Sequence, residues 1–135
     1  MTTFRNLNLS KPLLRAVDDL GFKTPTPVQQ EVFSVILSGK DVVGVSQTGT
    51  GKTLAYMLPL LQELKFSKQI QPRILILVPT IELVTQMVEQ IESYAKYVNV
   101  RVLGIHGGTN INNQKIQAAE GTDIVVATPG RLYDL

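Results

Sequence analysis

The stretch Ser46-Gln47-Thr48-Gly49-Thr50-Gly51-Lys52-Thr53 constrains this chain more than any other. It joins a short apolar run, Asp41–Val45, to a segment with helical character from Lys52 to about Phe66. A Gly-rich turn in that position lets the backbone curl so that successive N–H groups point inward. The helix behind it presents the positive end of its dipole to the same place. Lys52 and Thr53 complete the chemistry of a phosphate site: the ammonium reaches β- and γ-phosphates and the hydroxyl suits Mg²⁺. An ordinary Gly-rich turn is the plainer alternative, but it does not account for Gly51-Lys52-Thr53 in this setting. Ser46 stands where the general P-loop pattern has glycine, which narrows the kind of P-loop to those that accept another small residue.

The rest of the chain alternates helix and strand. Ser10 and Pro12 suit the start of a helix over Leu13–Leu20, which Gly21 stops. Thr26-Pro27 opens a second helix that ends at Ser38-Gly39. Asp41–Val45 reads as a buried strand, and Pro59 is expected to bend the helix after the turn. Arg73–Val78 is the most hydrophobic run and a strand. A helix from Thr80 to about Tyr97 places Leu83, Met87, Val88, Ile91 and Tyr94 on one face. Asn99–Ile105 and Asp123–Ala127 are further strands, separated by a polar helix near Ile111–Ala119. Strands apolar on both faces, alternating with helices, imply an α/β fold: a doubly wound, three-layer α/β/α domain with a mainly parallel sheet.

Composition removes several function classes. With 44% apolar and 18% charged residues over 135, the chain has the makings of a folded core rather than of disorder. It has no cysteine and a single histidine, His106, so disulfides, thiolate metal sites and a cysteine nucleophile are excluded. No apolar run reaches the length of a membrane span and no leader pattern opens the sequence, so a cytoplasmic protein is expected. Thirteen basic against eleven acidic side chains give +2, which permits a nucleic-acid partner without arguing for one.

Upstream of the turn lies Gly21-Phe22-Lys23-Thr24-Pro25-Thr26-Pro27-Val28-Gln29. Alone it is a loop between helices, with Phe22 a core plug and Gln29 a helix-surface residue. Before a phosphate site it can do more. A glutamine amide pairs with adenine N6 and N7, and a neighbouring aromatic ring stacks on the base. This stretch, with the isolated Phe4 ahead of it, resembles the Q motif of DEAD-box ATP-dependent RNA helicases. Ser46–Thr53 is similar to their motif I, Pro79-Thr80-Ile81-Glu82-Leu83-Val84 to motif Ia, Gly107-Gly108 to the GG motif, and Thr128-Pro129-Gly130-Arg131 to motif Ib. The resemblance runs from residue 4 to residue 131 in the family's order. It implies a P-loop, RecA-like domain, with residues 1–30 as the Q-motif region and 31–135 as part of the ATP-binding domain. It also implies ATP and Mg²⁺ as cofactors: Phe22 and Gln29 on adenine, Ser46 to Thr53 around the phosphates, Lys52 and Thr53 in catalysis, and Thr53 on the metal. Phe4 has two roles open to it, beside the nucleotide or closing the core.

RNA is the partner the resemblance implies, through Pro79, Thr80, Gly107, Gly108, Thr128, Pro129, Gly130 and Arg131. The residues give this a physical basis. Val78-Pro79-Thr80 and Ala127-Thr128-Pro129-Gly130 are strand-to-helix turns, which in a parallel sheet gather at the carboxyl edge where ligands bind. Backbone amides there can hold phosphates without reading bases, so binding is expected to be largely sequence-independent. The plainer alternative is that Thr and Pro merely start helices. Ile81 replaces the arginine usual in motif Ia, and Val84 the usual alanine. Lys65, Lys68 and Arg73 are expected on a solvated surface, Tyr94 and Tyr97 in packing, and His106 without a role.

The family's Asp-Glu-Ala-Asp motif does not occur in the sequence. The chain is therefore expected to be a RecA-like domain truncated before that strand, to bind ATP or ADP without turnover, and to self-associate through an exposed sheet edge. The parent protein would remodel RNA with ATP. The alternatives are a non-catalytic adenine-nucleotide or RNA-binding module, or another P-loop ATPase such as a DNA helicase.

Overall fold

The computed structural model describes residues 3–7, 9–44, 52–64, 71–107 and 111–134. They fall into two compact units, Met1–Lys65 with Ser93–Val98, and Phe66–Glu92 with Asn99–Leu135.

The first unit is helical. A 3-10 turn, Phe4–Leu7, precedes α1 (Lys11–Asp19), α2 (Pro27–Leu37) and α3 (Lys52–Glu63). Pro12 and Pro27 occupy the first turns of α1 and α2, where their missing N–H groups would have had no helical partner. Ser10 and Thr26 hold the N-cap positions as expected, but neither side chain caps its helix. Gly21 and Gly39, with φ of +81° and +83°, follow the two helices in the left-handed conformation that stops them. Leu13, Ala16 and Val17 of α1, Phe33 of α2, and Leu54, Met57, Leu58 and Leu61 of α3 form the core. Phe4 is buried among the core residues and its N–H reaches the Lys23 carbonyl (3.3 Å), so it takes the core-closing role. The α3 helix runs through Pro59, which is itself buried.

The expected strand at Asp41–Val45 is not formed over residues 41–44, and Val45 lies outside the described residues. Extended chain is stabilised by ladder hydrogen bonds from a neighbour. Among the described residues no strand pairs with this segment, and Val43 is left 90% exposed.

The second unit is a parallel sheet with helices, as an α/β fold requires. Its strands are β1 (Ile74–Leu77), β2 (Val102–Ile105) and β3 (Ile124–Ala127), in the order β1-β3-β2. Central β3 is buried throughout its length, which explains its unbroken Ile-Val-Val-Ala run. Edge strand β1 does not meet the expectation of two covered faces: Leu75 and Leu77 are 55% and 52% exposed. Between β1 and β2 runs α4 (Ile81–Tyr94); α5 (Ile111–Glu120) and the short α6 (Pro129–Asp134) flank β3 in sequence. Within this unit the buried stripe of α4 is Val84 and Ile91, with Met87 and Val88 half-buried, while Leu83 is exposed rather than inward; Tyr94, also buried, belongs to the first unit. Gly104 of β2 faces this stripe: a Cβ there would lie 3.1 Å from both Val84 Cγ1 and Val88 Cγ2. Glycine lets this side of α4 approach the strand closely, and Val84 rather than Leu83 takes the inner position.

At the amino edge of the sheet, Asp123 is buried and ties strand starts together. Its Oδ1 accepts from Arg73 Nη2 and Arg101 Nη2, both at 3.2 Å, and its Oδ2 from the Arg101 backbone N–H at 2.8 Å. Arg73 is thus a half-buried structural residue and not part of a solvated surface, because a buried carboxylate needs cationic partners.

Candidate functional site

The parallel register brings three of the expected contact segments to one edge. Leu77 pairs with Ala127, and Ile105 with Ala127, so the carboxyl ends of all three strands are level. Each strand then runs into a candidate segment: Val78-Pro79-Thr80 after β1, His106-Gly107 after β2, and Thr128-Pro129-Gly130-Arg131 after β3. The ladder continues into these turns, with Val78 N–H donating to the Ala127 carbonyl (3.0 Å) and Thr128 N–H to the Ile105 carbonyl (3.1 Å). Rigid strand ends therefore position the turns, as a binding edge requires.

Pro79, Thr80, Gly107, Pro129 and Gly130 are exposed there, and Thr128 and Arg131 half-buried. Thr80 does start a helix: its Oγ1 accepts from Leu83 N–H at 3.3 Å, at the head of α4. Ile81, in the place of the expected arginine, is 40% exposed beside it. Gly108 lies outside the described residues. Arg131 is tied by its Nε to Gln114 Oε1 (3.0 Å), and Gln114 Nε2 donates to the His106 carbonyl (3.0 Å). Gln114 went unnoticed in the sequence because a glutamine on a polar helix carries no pattern of its own. Its burial, with α5 otherwise largely exposed, is what marks it.

The first unit carries the nucleotide candidates. Phe22 is 42% exposed, which removes the core-plug alternative; its N–H donates to the Val17 carbonyl (3.2 Å), fixing the loop against α1. The ring lines a pocket of about 390 Å³ with Phe4, Arg5, Asp18, Gly21 and Lys23. Gln29 is buried at 5%, so it is not a plain surface residue. Its Oε1 accepts from Thr26 N–H at 2.9 Å, serving an N–H at the head of α2 that the helix itself leaves unpaired. That bond also fixes which end of the amide is oxygen and which is nitrogen.

Lys52 and Thr53 stand half-buried in the first turn of α3. Lys52 lines a second, apolar-walled pocket of about 190 Å³ with Val28, Val32, Val42, Gly44 and Tyr56. Burial raises the Tyr56 phenol above its ordinary pKa, and a hydrogen bond with the Thr53 side chain opposes the shift. The Thr53 hydroxyl is a hard oxygen of the kind Mg²⁺ takes, and it sits at the helix start where a bound phosphate would complete the ligand set. No cluster of three or more acidic or histidine side chains that could hold a metal occurs among the described residues. Ser46, Gln47, Thr48, Gly49, Thr50 and Gly51 lie outside the described residues. No described helix is long and apolar enough to cross a membrane.

A family model described as DEAD/DEAH box helicase matches residues 26–135. The chain is 44% identical over 134 residues to the ATP-dependent RNA helicase DeaD of Escherichia coli strain K12, covering 98% of this chain and 21% of that protein. It is 45% identical over 134 residues to the DEAD-box ATP-dependent RNA helicase CshA of Bacillus cereus, covering 99% and 25%. Among solved structures it resembles the RNA-helicase Prp28 from Chaetomium thermophilum bound to ADP, with a TM-score of 0.87 at 38% identity, covering 99% of this chain and 34% of that one. The chain thus spans a quarter or less of these two curated relatives. The fold is the α/β RecA-like one of these helicases.

Proposed function

Since the chain belongs to the DEAD/DEAH box helicase family, we propose that it supplies the adenine-nucleotide half-site and part of the RNA track of an ATP-dependent RNA helicase. The observation that carries this best is Gln29. With Oε1 held as an acceptor by Thr26 N–H, the amide is oriented to accept from adenine N6 and donate to N7. A carbonyl oxygen has two lone pairs, so the cap and the base can share it. Guanine offers O6 where adenine offers an amino group, and a flipped amide that suited guanine would lose the bond to Thr26. Exposed Phe22 stacks on the base, in a division that assigns residues 1–30 to adenine recognition and 31–135 to phosphate and RNA.

Ser46 to Gly51 cradle the phosphates, Lys52 neutralises them, and Thr53 contributes a ligand to Mg²⁺. Mg²⁺ held at Thr53 would supply positive charge to offset that of the phosphates. RNA runs as a single strand along the level edge formed by Pro79, Thr80, Gly107, Gly108 and Thr128 to Arg131, held by its backbone and not by its bases. The whole protein couples ATP hydrolysis to RNA remodelling in the cytoplasm. The chain itself binds nucleotide without turnover, because no Asp-Glu pair follows any of its strands to hold the metal and orient water.

Titration with a fluorescent ADP, competed by ATP and by GTP, tests this. Adenine-selective binding that Lys52→Ala and Gln29→Ala each abolish is the expected result. Equal competition by GTP would remove the adenine assignment. RNA and DNA oligonucleotides of equal length, competed against each other, separate an RNA helicase from a DNA helicase.

A further inference from the structure

Among the described residues of the second unit, Gln114 is the one buried polar residue that sits between two of the candidate RNA turns. Its amide is used at both ends: Nε2 donates to the His106 carbonyl, immediately before Gly107, and Oε1 accepts from Arg131 Nε, each at 3.0 Å. A guanidinium is a rigid planar fork, so fixing Nε fixes the direction in which its Nη edge points. The His106 carbonyl is similarly fixed at the start of the turn after β2. Burial of the amide makes both bonds matter, because a buried polar group left without its partner is not compensated by water.

We propose that Gln114 is a positioning residue that sets the Arg131 guanidinium against the His106-Gly107 turn, so that both meet one RNA backbone in fixed relation. This rests on the assignment of RNA to that edge and adds a residue outside every motif that suggested it. Gln114 does not touch RNA; it acts through Arg131 and the turn.

The test uses Gln114→Met, which keeps the side-chain volume and removes both hydrogen bonds. Binding of a fluorescein-labelled single-stranded oligouridylate is measured across salt concentrations for the wild-type chain, Gln114→Met, Arg131→Lys and the double variant. Gln114→Met should weaken binding about three- to tenfold and lower the slope of log affinity against log salt by about one, the mark of one displaced phosphate contact. In the Arg131→Lys background the same change should weaken binding by less, since lysine has no Nε–H to be positioned and only the effect through the His106-Gly107 turn remains. A merely structural glutamine would instead lower the melting temperature and leave the salt slope alone.

Unchanged RNA affinity in a folded Gln114→Met chain, or an equal further loss in the Arg131→Lys background, overturns the proposal and leaves RNA binding standing. A wild-type chain without affinity for the oligouridylate at low salt overturns the RNA assignment, and the proposal with it. Should Gln114→Met not fold, the wild-type chain still decides. Its Arg131 Nε–H resonance should exchange slowly and shift as RNA is added, and fast exchange without a shift overturns the proposal.

Discussion

Arg101 holds Asp123 from two directions: its backbone N–H donates to Oδ2 at 2.8 Å and its Nη2 donates to Oδ1 at 3.2 Å. Arg101 Nε also donates to Oδ2 at 3.3 Å, and Arg73 Nη2 adds a fourth donor at 3.2 Å. The residue before β3 is thereby joined to the residues before β2 and β1, at the edge opposite the candidate RNA turns.

Acid should loosen this joint. Burial alone would raise the Asp123 carboxyl, but hydrogen bonds from the Arg101 side chain and backbone, then from Arg73, outweigh it and hold it below its ordinary 3.8. A carboxyl depressed by folding contributes stability that is complete above its unfolded pKa and is lost as pH falls through the folded value. The melting temperature should therefore decline as pH drops through about 4 and below. Asp123→Ala should lose about 3 kcal/mol at neutral pH, since it leaves two guanidinium groups half-buried without their partner. It should also show a shallower acid limb. Thermal melts of both chains from pH 7 to pH 3 check this, and parallel acid limbs would refute it.

Gly104 is the narrow point between β2 and α4. A Cβ at this position would stand 3.1 Å from Val84 Cγ1 and Val88 Cγ2, and Val84 is fully buried and has little room to yield. Gly104→Ala should destabilise the chain by about 1 kcal/mol through overpacking. Val84→Ala in the same chain should recover part of that loss, giving a non-additive pair. Denaturant melts of the two single variants and the double variant measure it; strict additivity would show that the contact is not the cause.

Much of this was legible in the sequence because the informative signals are local. Pro12 and Pro27 announced helix starts, Gly21 announced a stop, and the runs Arg73–Val78 and Asp123–Ala127 announced strands. What failed depended on partners distant in sequence. Asp41–Val45 has the composition of a strand, but residues 41–44 find no neighbour among the described residues. Leu83 and Val84 are both apolar, and the close approach at Gly104 accommodates Val84 on the inward side. Arg73 looked like surface until Asp123, fifty positions on, supplied a buried partner. The sequence suggests Gln29 as an adenine reader only through its company, and the bond it accepts from Thr26 N–H gives its burial a structural reason. Gln114 carried no signal at all.

The exposed apolar side chains of β1 bear on association. Leu75 and Leu77 alternate with half-buried Ile74 and Ile76 on an edge strand, a pattern that invites pairing with another chain. The chain should self-associate at high concentration, and Leu75→Lys with Leu77→Thr should shift it toward monomer by adding a charge and lowering the apolar area. Sedimentation velocity over a concentration series tests this. A wild-type chain that is monomeric throughout would remove the prediction.

Gln29 permits a sharper separation of structure from recognition. Gln29→Ala removes both the acceptor for Thr26 N–H and the proposed adenine contacts, so it should lose about 1 kcal/mol of stability along with nucleotide affinity. Gln29→Glu keeps an acceptor for that N–H, and a carboxylate in the first turn of α2 is favoured by the helix dipole. It no longer offers a donor to adenine N7, and sets a carboxylate against that nitrogen's lone pair instead. The expected outcome is a chain that melts within about 1 kcal/mol of wild type yet binds fluorescent ADP at least about tenfold more weakly. GTP should gain nothing, because O6 and N7 of guanine would both face the carboxylate. If Gln29→Glu binds ADP as the wild type does, Gln29 serves only the helix start, and adenine must be read elsewhere.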